Sequence, residues 1–180
     1  MVNYGGKELA HAFRTVRGNT IQTAQEIPEE KYDFVPAPGV RTVRETLRHI
    51  AFLNLMHYDF HRDQRLSTLA GYDFMQLLGK IQSEGDKLQT KDEIIAALKD
   101  SGASFATWLE SLTPEFLNET YTDPMGQNPR TRFEHLMTAK EHEMHHRGQL
   151  MLVQRMLGIT PHLTRQMTER MRARATAATT

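Results

Sequence analysis

Four separate stretches of this chain repeat their apolar residues at the three- and four-residue spacing of an amphipathic helix. They cover residues 6–27, 42–62, 91–112 and 131–157. No stretch alternates apolar and polar residues with the period of two that a half-buried strand requires. The pattern therefore predicts an all-α fold built on four long helices.

Three of these helices begin with the same local signal. Thr42, Thr90 and Thr131 are each followed three residues later by a glutamate. In such a capping box, the threonine hydroxyl accepts a backbone N–H of the first turn, and the glutamate accepts the N–H of the threonine. At the end of the last helix, Gly158 suits a left-handed cap and Pro161 prevents continuation. These signals place the helix boundaries independently of the periodicity.

The connections between the helices are long. Residues 63–90 form the longest, with a short extra helix predicted around residues 72–81. A long crossover predicts a four-helix bundle that is not simply up-down-up-down. We expect the bundle to occupy residues 1–160, and residues 161–180 to form a basic tail that begins as a helix and frays at its end.

Composition excludes several classes of protein. A length of 180 residues predicts one domain. Lys and Arg total 22, as do Asp and Glu, and this balance disfavours a dedicated nucleic-acid binder. Without cysteine the chain has neither a disulfide nor a thiol nucleophile of its own. No apolar run approaches the roughly 18 residues that span a bilayer, and the first ten residues are polar, so we expect a cytoplasmic protein without a membrane partner.

The chemistry points to histidine, of which the chain has nine. His142 and His146 lie four residues apart on the last predicted helix, on the face that Leu150 and Val153 mark as inward, whereas His145 points away. Two histidines at this spacing can bind one metal ion, because their imidazoles lie one turn apart. The alternative is a pair of core histidines that find ordinary hydrogen-bond partners.

A third ligand has to come from another helix, and the second helix offers three. His49 lies in an apolar column, but His57 and His61 lie nearer the centre of the wider apolar arc. Periodicity alone therefore slightly favours His57, while ordinary packing or a solvated helix end also explains His57 and His61. His11 and His162 show no partner pattern, and we expect structural roles for both.

The same helix also contains the H-E-x-x-H pattern of zinc peptidases. There His142 and His146 would be ligands, and Glu143 would activate a metal-bound water. The longer metzincin pattern fails at Gly148, and Glu169, the only later acidic residue, lies in the tail. No edge strand is predicted that would hold an extended peptide. A peptidase is thus the weaker interpretation, and Glu143 stays a candidate catalytic residue.

Three segments resemble the DinB/YfiT-like proteins. Residues 141–149 with 156–158 resemble the last-helix signature of that family, residues 46–50 resemble its second-helix signature, and the Pro-Ala-Pro-Gly run at 36–39 is typical before that helix. The resemblance covers roughly residues 5–160. It implies a four-helix bundle of up-down-down-up topology, usually dimeric.

The resemblance also implies a ligand set. In that family, one histidine of the second helix and two of the last bind a divalent ion, often nickel or zinc, which carries over to His49, His142 and His146 and selects His49 over His57. Three histidines leave a coordination position open for water or substrate. His135 and Gln149 share the column of the ligands, and we expect them to support the ligands as hydrogen-bond partners, although helix packing also explains Gln149.

Relatives include thiol S-transferases that use low-molecular-weight thiols, a thiol-dependent isomerase, and many proteins without an assigned reaction. We therefore expect a metal-dependent enzyme, active as a homodimer on a small molecule, that activates a thiol for transfer or water for hydrolysis. Any thiol has to come from a cofactor or substrate. The alternative is a non-catalytic, metal-stabilised bundle or a stress-linked binding module. A pocket open to the metal would favour the enzyme, and a sealed site would favour the alternative.

Overall fold

The computed structural model of the chain describes residues 4–178. In chain order its helices are α1 (Gly6–Glu26), α2 (Val43–Phe52), α3 (Asn54–His57), α4 (Phe74–Asp86), α5 (Lys91–Glu110), α6 (Pro114–Asn118), α7 (Arg132–Met156) and α8 (His162–Ala177). A 3-10 turn spans Glu29–Lys31, a π-helical turn spans Tyr58–Asp63, and two short strands are β1 (Thr120–Tyr121) and β2 (Arg130–Thr131). The four predicted long helices correspond to α1, to α2 with its continuation, to α5 and to α7.

Two apolar clusters show how the long helices run. At one end of the bundle, the last turns of α1 and α7 pack with the first turns of α2 and α5, through Ala24, Ile27, Val43, Leu47, Ile94, Leu150 and Val153. At the other end, the first turns of α1 and α7 pack with the last turns of α5, through Leu9, Phe13, Phe105, Leu109, Leu136 and Ala139. Therefore α1 and α7 run one way and α2 and α5 the other, which confirms the up-down-down-up bundle.

The three predicted capping boxes are all present. The hydroxyl oxygens of Thr42, Thr90 and Thr131 accept the backbone N–H of the glutamate three residues later at 3.0, 3.2 and 3.1 Å. Each glutamate in turn accepts the backbone N–H of its threonine. Gly158 adopts a φ of +77°, as a left-handed helix cap requires.

The second predicted helix is interrupted rather than continuous. Leu53 separates α2 from α3, and the π-helical turn follows directly. Near its end, the N–H of Leu66 bonds the carbonyl of Phe60, and the N–H of Gln64 bonds that of Asp59. Such widened turns are uncommon in helices and often occur beside functional sites. Here the widened turn carries His61.

Three parts of the structure depart from the sequence prediction. The antiparallel pair β1–β2 and helix α6 fill the connection before α7, where no element is predicted. Helix α4 is longer than the predicted short helix. The tail forms α8, which is attached to α1 because His162 contacts Asn19 and Arg165 pairs with Glu26. The predicted frayed end, Thr179 and Thr180, lies outside the described residues.

Candidate metal centre

Three imidazoles from α2 and α7 converge on one point. The Nε2 atom of His142 lies 3.0 Å from Nε2 of His49 and 2.8 Å from Nε2 of His146. His49 and His142 are half-buried, and His146 is 6% exposed. The bundle topology thus brings together the three residues that the family resemblance implies, which we call the open triad.

Hydrogen bonds on the outer side of the open triad fix the proton of one ring. Nδ1 of His146 lies 2.8 Å from Oε1 of Gln149, and Nε2 of the same amide lies 3.2 Å from Nε2 of His145. A carbonyl oxygen only accepts, so Nδ1 of His146 carries the proton and its Nε2 presents a lone pair to the other two rings. Gln149 therefore contacts the triad in the way expected of a residue that orients a metal ligand.

The environment keeps the open triad neutral. Burial, followed by the charge of Arg41 and the other rings, lowers the pKa of His49 to about 4. Burial and the neighbouring His146 lower the pKa of His142 to about 4. Burial also lowers the pKa of His146, partly opposed by the bond to Gln149. Neutral imidazole is the form that binds metal ions.

The donor set fits a divalent cation. Nε2 of His142 either donates one proton or accepts one, so it forms a good hydrogen bond with only one of its two neighbours. The other close contact between nitrogens is left unsatisfied unless a cation lies between the rings. Two nitrogens bound tetrahedrally at 2.0–2.1 Å from zinc lie roughly 3.3–3.4 Å apart, so the observed separations of 3.0 and 2.8 Å would have to widen by roughly 0.3–0.6 Å. The residues present would thus hold zinc or a similar ion with little movement.

A second cluster of three histidines lies farther along the same helices. His57 and His61 follow α2, and His135 lies two turns before His142 on α7; we call them the closed triad. His57 and His61 are each only 1% exposed. Burial lowers the pKa of His61 to about 3 and of His135 to about 4, and moves that of His57 well below its ordinary value.

An arginine determines which ring nitrogen of the closed triad's His61 carries the proton. Nη1 of Arg132 lies 2.9 Å from Nδ1 of His61, and Nε of Arg132 donates to Glu119 at 2.8 Å. Because a guanidinium only donates, Nδ1 of His61 accepts and Nε2 of His61 carries the ring proton. That proton is donated to Nδ1 of His135 at 2.7 Å. The closed triad is thus a directed hydrogen-bond chain, and Nδ1 of His57 lies buried beside it with no hydrogen-bond partner among residues 4–178.

The structure corrects two expectations for α7. His135 belongs to the closed triad and does not contact the predicted ligands. Glu143 is 3% exposed, and both of its carboxylate oxygens accept Nε of Arg17, at 2.9 and 3.0 Å. The carboxylate that the peptidase interpretation needs for activating water is thus engaged in a buried ion pair with α1, so the geometry favours a structural role for Glu143.

The role of Arg17 as the buried partner of Glu143 was not predicted from the sequence. Arg17 lies on the same face of α1 as Phe13 and Thr20 and so interrupts an apolar stripe. The Arg17 guanidinium also donates to the carbonyls of Leu98 and Ile50, at 2.7 and 3.2 Å. A charged residue in an apolar stripe is the signal that would have predicted a buried partner.

The open triad is accessible from outside the bundle. A cavity of about 260 Å³ has His49 in its wall, together with the loop before α2 and part of α4. Its lining residues are Gly39, Val40, Arg41, Glu45, Arg48, His49, Ile81, Gln82 and Gly85. A pocket that reaches one histidine of the triad, His49, is the arrangement expected of a site that admits a substrate.

Comparison with known proteins agrees with this architecture. The chain matches the family model of the DinB superfamily over residues 12–150. No curated protein matches the chain. Among the helices within residues 4–178, none is long and apolar enough to cross a bilayer.

Three solved structures share the fold. YfiT from Bacillus subtilis, described as a probable metal-dependent hydrolase with an unusual four-helix bundle topology, superposes with a TM-score of 0.67 at 17% identity, covering 86% of this chain and 89% of that one. A DinB-like protein of Bacillus subtilis gives 0.63 at 23% identity, covering 85% and 93%. An uncharacterised protein of Clostridium difficile gives 0.65 at 16% identity, covering 86% and 98%.

Proposed function

The chain belongs to the DinB superfamily, and we propose that it is a metal-dependent enzyme whose divalent ion is held by His49, His142 and His146. The main observation behind the proposal is the convergence of three neutral imidazoles beside an accessible cavity. Nε2 of His142 lies within 3.0 Å of Nε2 of both His49 and His146. The description of YfiT as a probable metal-dependent hydrolase supports metal-dependent chemistry. Zinc and nickel are the proposed ions, since both bind imidazole well.

Each residue has a distinct task in this proposal. His49, His142 and His146 supply the ligand atoms, and Gln149 holds the His146 ring so that its lone pair faces inward. A bound ion would lower the pKa of a thiol or a water molecule, so that the nucleophile forms at neutral pH. The half-buried position of His49 and His142 leaves one side of the site open to the cavity.

The cavity wall favours thiol transfer over hydrolysis. Within residues 4–178, its one carboxylate is Glu45, which is engaged in the capping box with Thr42. Glu143, the other candidate base, is engaged with Arg17. A thiol, with an ordinary pKa near 8.5, needs much less help to ionise than water does. We therefore propose transfer of a low-molecular-weight thiol to a small electrophilic substrate, with hydrolysis as the second reaction to test.

The test compares metal-loaded and metal-free protein, purified without a histidine tag. Thiol consumption with alkyl-halide and epoxide electrophiles, and hydrolysis of a panel of esters and amides, are measured with and without one equivalent of zinc or nickel. The proposal expects a reaction that depends on metal, is lost in His142→Ala and is retained in folded Glu143→Gln. Metal binding with no turnover on any substrate would instead support the metal-stabilised bundle.

Other expectations remain predictions. The balanced charge of the chain supports the absence of a nucleic-acid partner, and a small-molecule substrate and a cytoplasmic location are part of the proposal. A homodimer is supported by exposed apolar side chains on α7 and α8, namely Met144, Leu152, Met156, Met167 and Met171. Light scattering behind size exclusion tests it: a mass near twice 20.7 kDa is expected, and a monomer at working concentration would contradict it.

A further inference from the structure

One cationic side chain beside the open triad has no partner. Within residues 4–178, no acceptor forms a hydrogen bond or ion pair with the Arg41 guanidinium, and the side chain is exposed. Two neighbouring arginines differ in this respect: Arg44 is bound to Asp33, and Arg48 is bound to the carbonyl of Leu88. A guanidinium left unpaired at a cavity mouth is available to bind a ligand anion.

The position of Arg41 relates it to the whole open triad. Arg41 lines the cavity that contains His49, and it also lines a small crevice against Gln149 on the α7 side. Its charge acts on all three histidines of the triad. Arg41 therefore lies between α2 and α7, in the walls of both the cavity at His49 and the crevice at Gln149.

The backbone holds Arg41 in place from both sides. Before it, the N–H of Val40 bonds the carbonyl of Ala37, and Gly39 has a φ of +76°. With Pro38 as the second residue, these features form a type II turn, which requires positive φ at the third residue. After it, Thr42 begins the capping box of α2. The loop is thus stiff where it presents Arg41, which lowers the entropy lost on binding.

The charges on the cavity wall suit a single negative charge. Among the residues that the structure describes, Arg41 is the free cation of this wall. The charge of Arg48 is paired with Asp86 at 3.7 Å, its guanidinium also donates to the carbonyl of Leu88, and Glu45 lines the same cavity. A planar guanidinium matches a carboxylate in two parallel hydrogen bonds. One free cation opposed by one carboxylate provides little surplus charge for a doubly charged phosphate.

We propose that this cavity selects substrates or co-substrates that carry a carboxylate a few bonds from the group bound at the open triad, and that Arg41 recognises that carboxylate. The inference rests on the metal site of the proposed function and adds the chemical class of its ligand. Arg41 would act as a specificity-determining residue, since it contacts the ligand without taking part in the reaction.

Two probe thiols of equal length isolate the carboxylate. The full chain is loaded with one equivalent of Co²⁺, and 3-mercaptopropionate or uncharged 3-mercapto-1-propanol is added while sulfur-to-cobalt charge-transfer absorption is recorded. In the parent protein we expect 3-mercaptopropionate to bind about tenfold more tightly, since one charge-assisted hydrogen-bonded pair typically provides that much. In Arg41→Gln the ratio should fall to about one, with the Kd of the uncharged thiol unchanged.

Arg44→Gln is the matched control, because Arg44 lies at the start of the same helix but outside the cavity wall and pairs with Asp33. We expect this variant to keep the tenfold preference. Equal affinities for the two thiols in the parent, or an unaltered preference in Arg41→Gln, would overturn the role of Arg41 while leaving the metal site intact. Absence of the cobalt absorption bands in the parent would overturn the metal site and this inference with it.

Discussion

The open and closed triads each consist of three histidines, drawn from α7 and from the interrupted second helix, yet their hydrogen bonding is opposite. In the open triad, the outer partner is the acceptor oxygen of Gln149, so the lone pair of His146 points inward. In the closed triad, the outer partner is the donor Arg132, so the proton of His61 points inward and bonds His135. The hydrogen-bond partner of the outer ring nitrogen thus determines whether the inner nitrogen presents a lone pair to a metal ion or donates a proton.

The two triads also differ in how deeply their histidines are buried. A cavity reaches His49, whereas His57 and His61 are almost entirely enclosed by aromatic rings, including Phe60 and Phe105. A cation added to the closed triad would lie near the fixed charge of Arg132 in an environment of low polarity, which is costly. Proximity of three histidines is therefore insufficient evidence for a metal site.

The largest effect is expected from His142→Ala. His142 is the ring that contacts both other members of the open triad, so we expect the affinity for zinc to fall by more than the roughly 100-fold that loss of an outer partner costs. Competition with a chromophoric zinc chelator measures it. His135→Ala, two turns earlier on α7, is the control and should retain the affinity of the parent. An equal loss in both variants would mean that the two triads are not separate.

Arg132→Met tests what closes the second triad. Loss of the buried guanidinium should lower the free energy of unfolding by about 1–3 kcal/mol, because its hydrogen bonds to Glu119 and His61 are lost. It should also allow Nδ1 of His61 to carry the ring proton, so that zinc uptake exceeds one equivalent. Arg132→Lys keeps a cationic donor and should stay at one equivalent by elemental mass spectrometry. If both variants bind a single ion, Arg132 is not what excludes metal.

The sequence predicts structural features that depend on neighbouring residues better than features that depend on contacts between distant parts of the chain. The capping boxes at Thr42, Thr90 and Thr131 are local signals, and the helices begin where they predict. The hairpin of β1 and β2 has two residues in each strand, too few for a period to show. The hairpin forms because β1 and β2 pair with each other through contacts that a local sequence pattern does not reveal.

The same distinction between local and distant interactions applies to the residues of the candidate site. Spacing on α7 predicts His142 and His146, but the choice between His49 and His57 needed the family resemblance, since an apolar arc favours the more buried ring. His57 is indeed the more buried, but it lies beside His61 and His135 in the closed triad. The ion pair of Glu143 with Arg17 joins residues 126 positions apart, so no local pattern contains it.

Gln149→Ala should have an intermediate effect. Without the acceptor, the His146 ring is free to rotate or to exchange its proton between nitrogens, and the affinity for zinc should fall about 10- to 100-fold. Gln149→Glu keeps an acceptor oxygen and should restore most of the affinity. The same chelator competition reports both variants. A change of less than about twofold in Gln149→Ala would show that the bond to His146 does not orient the ring.

The smallest effect is expected on the pH dependence of metal-free protein. The pKa values of His135 and His142 lie near 4 when folded and near 6.5 when unfolded, so the unfolded chain binds more protons between these limits. Stability is therefore complete above pH 6.5 and decreases as the pH falls towards 4. Urea unfolding at pH 7, 6 and 5 measures it.

The decrease should persist in His49→Ala, because the closed triad is more deeply buried and remains intact in that variant. A stability that does not change between pH 7 and pH 5 would contradict the neutral state of both triads.

Anomalous diffraction at the zinc edge, from crystals of untagged protein grown with excess zinc, tests the central claim most directly. The account predicts one anomalous peak within bonding distance of His49, His142 and His146, and none among His57, His61 and His135. A peak in the closed triad, or the absence of a peak in the open triad, would contradict the claim that the outer hydrogen-bond partner determines which histidine cluster binds metal.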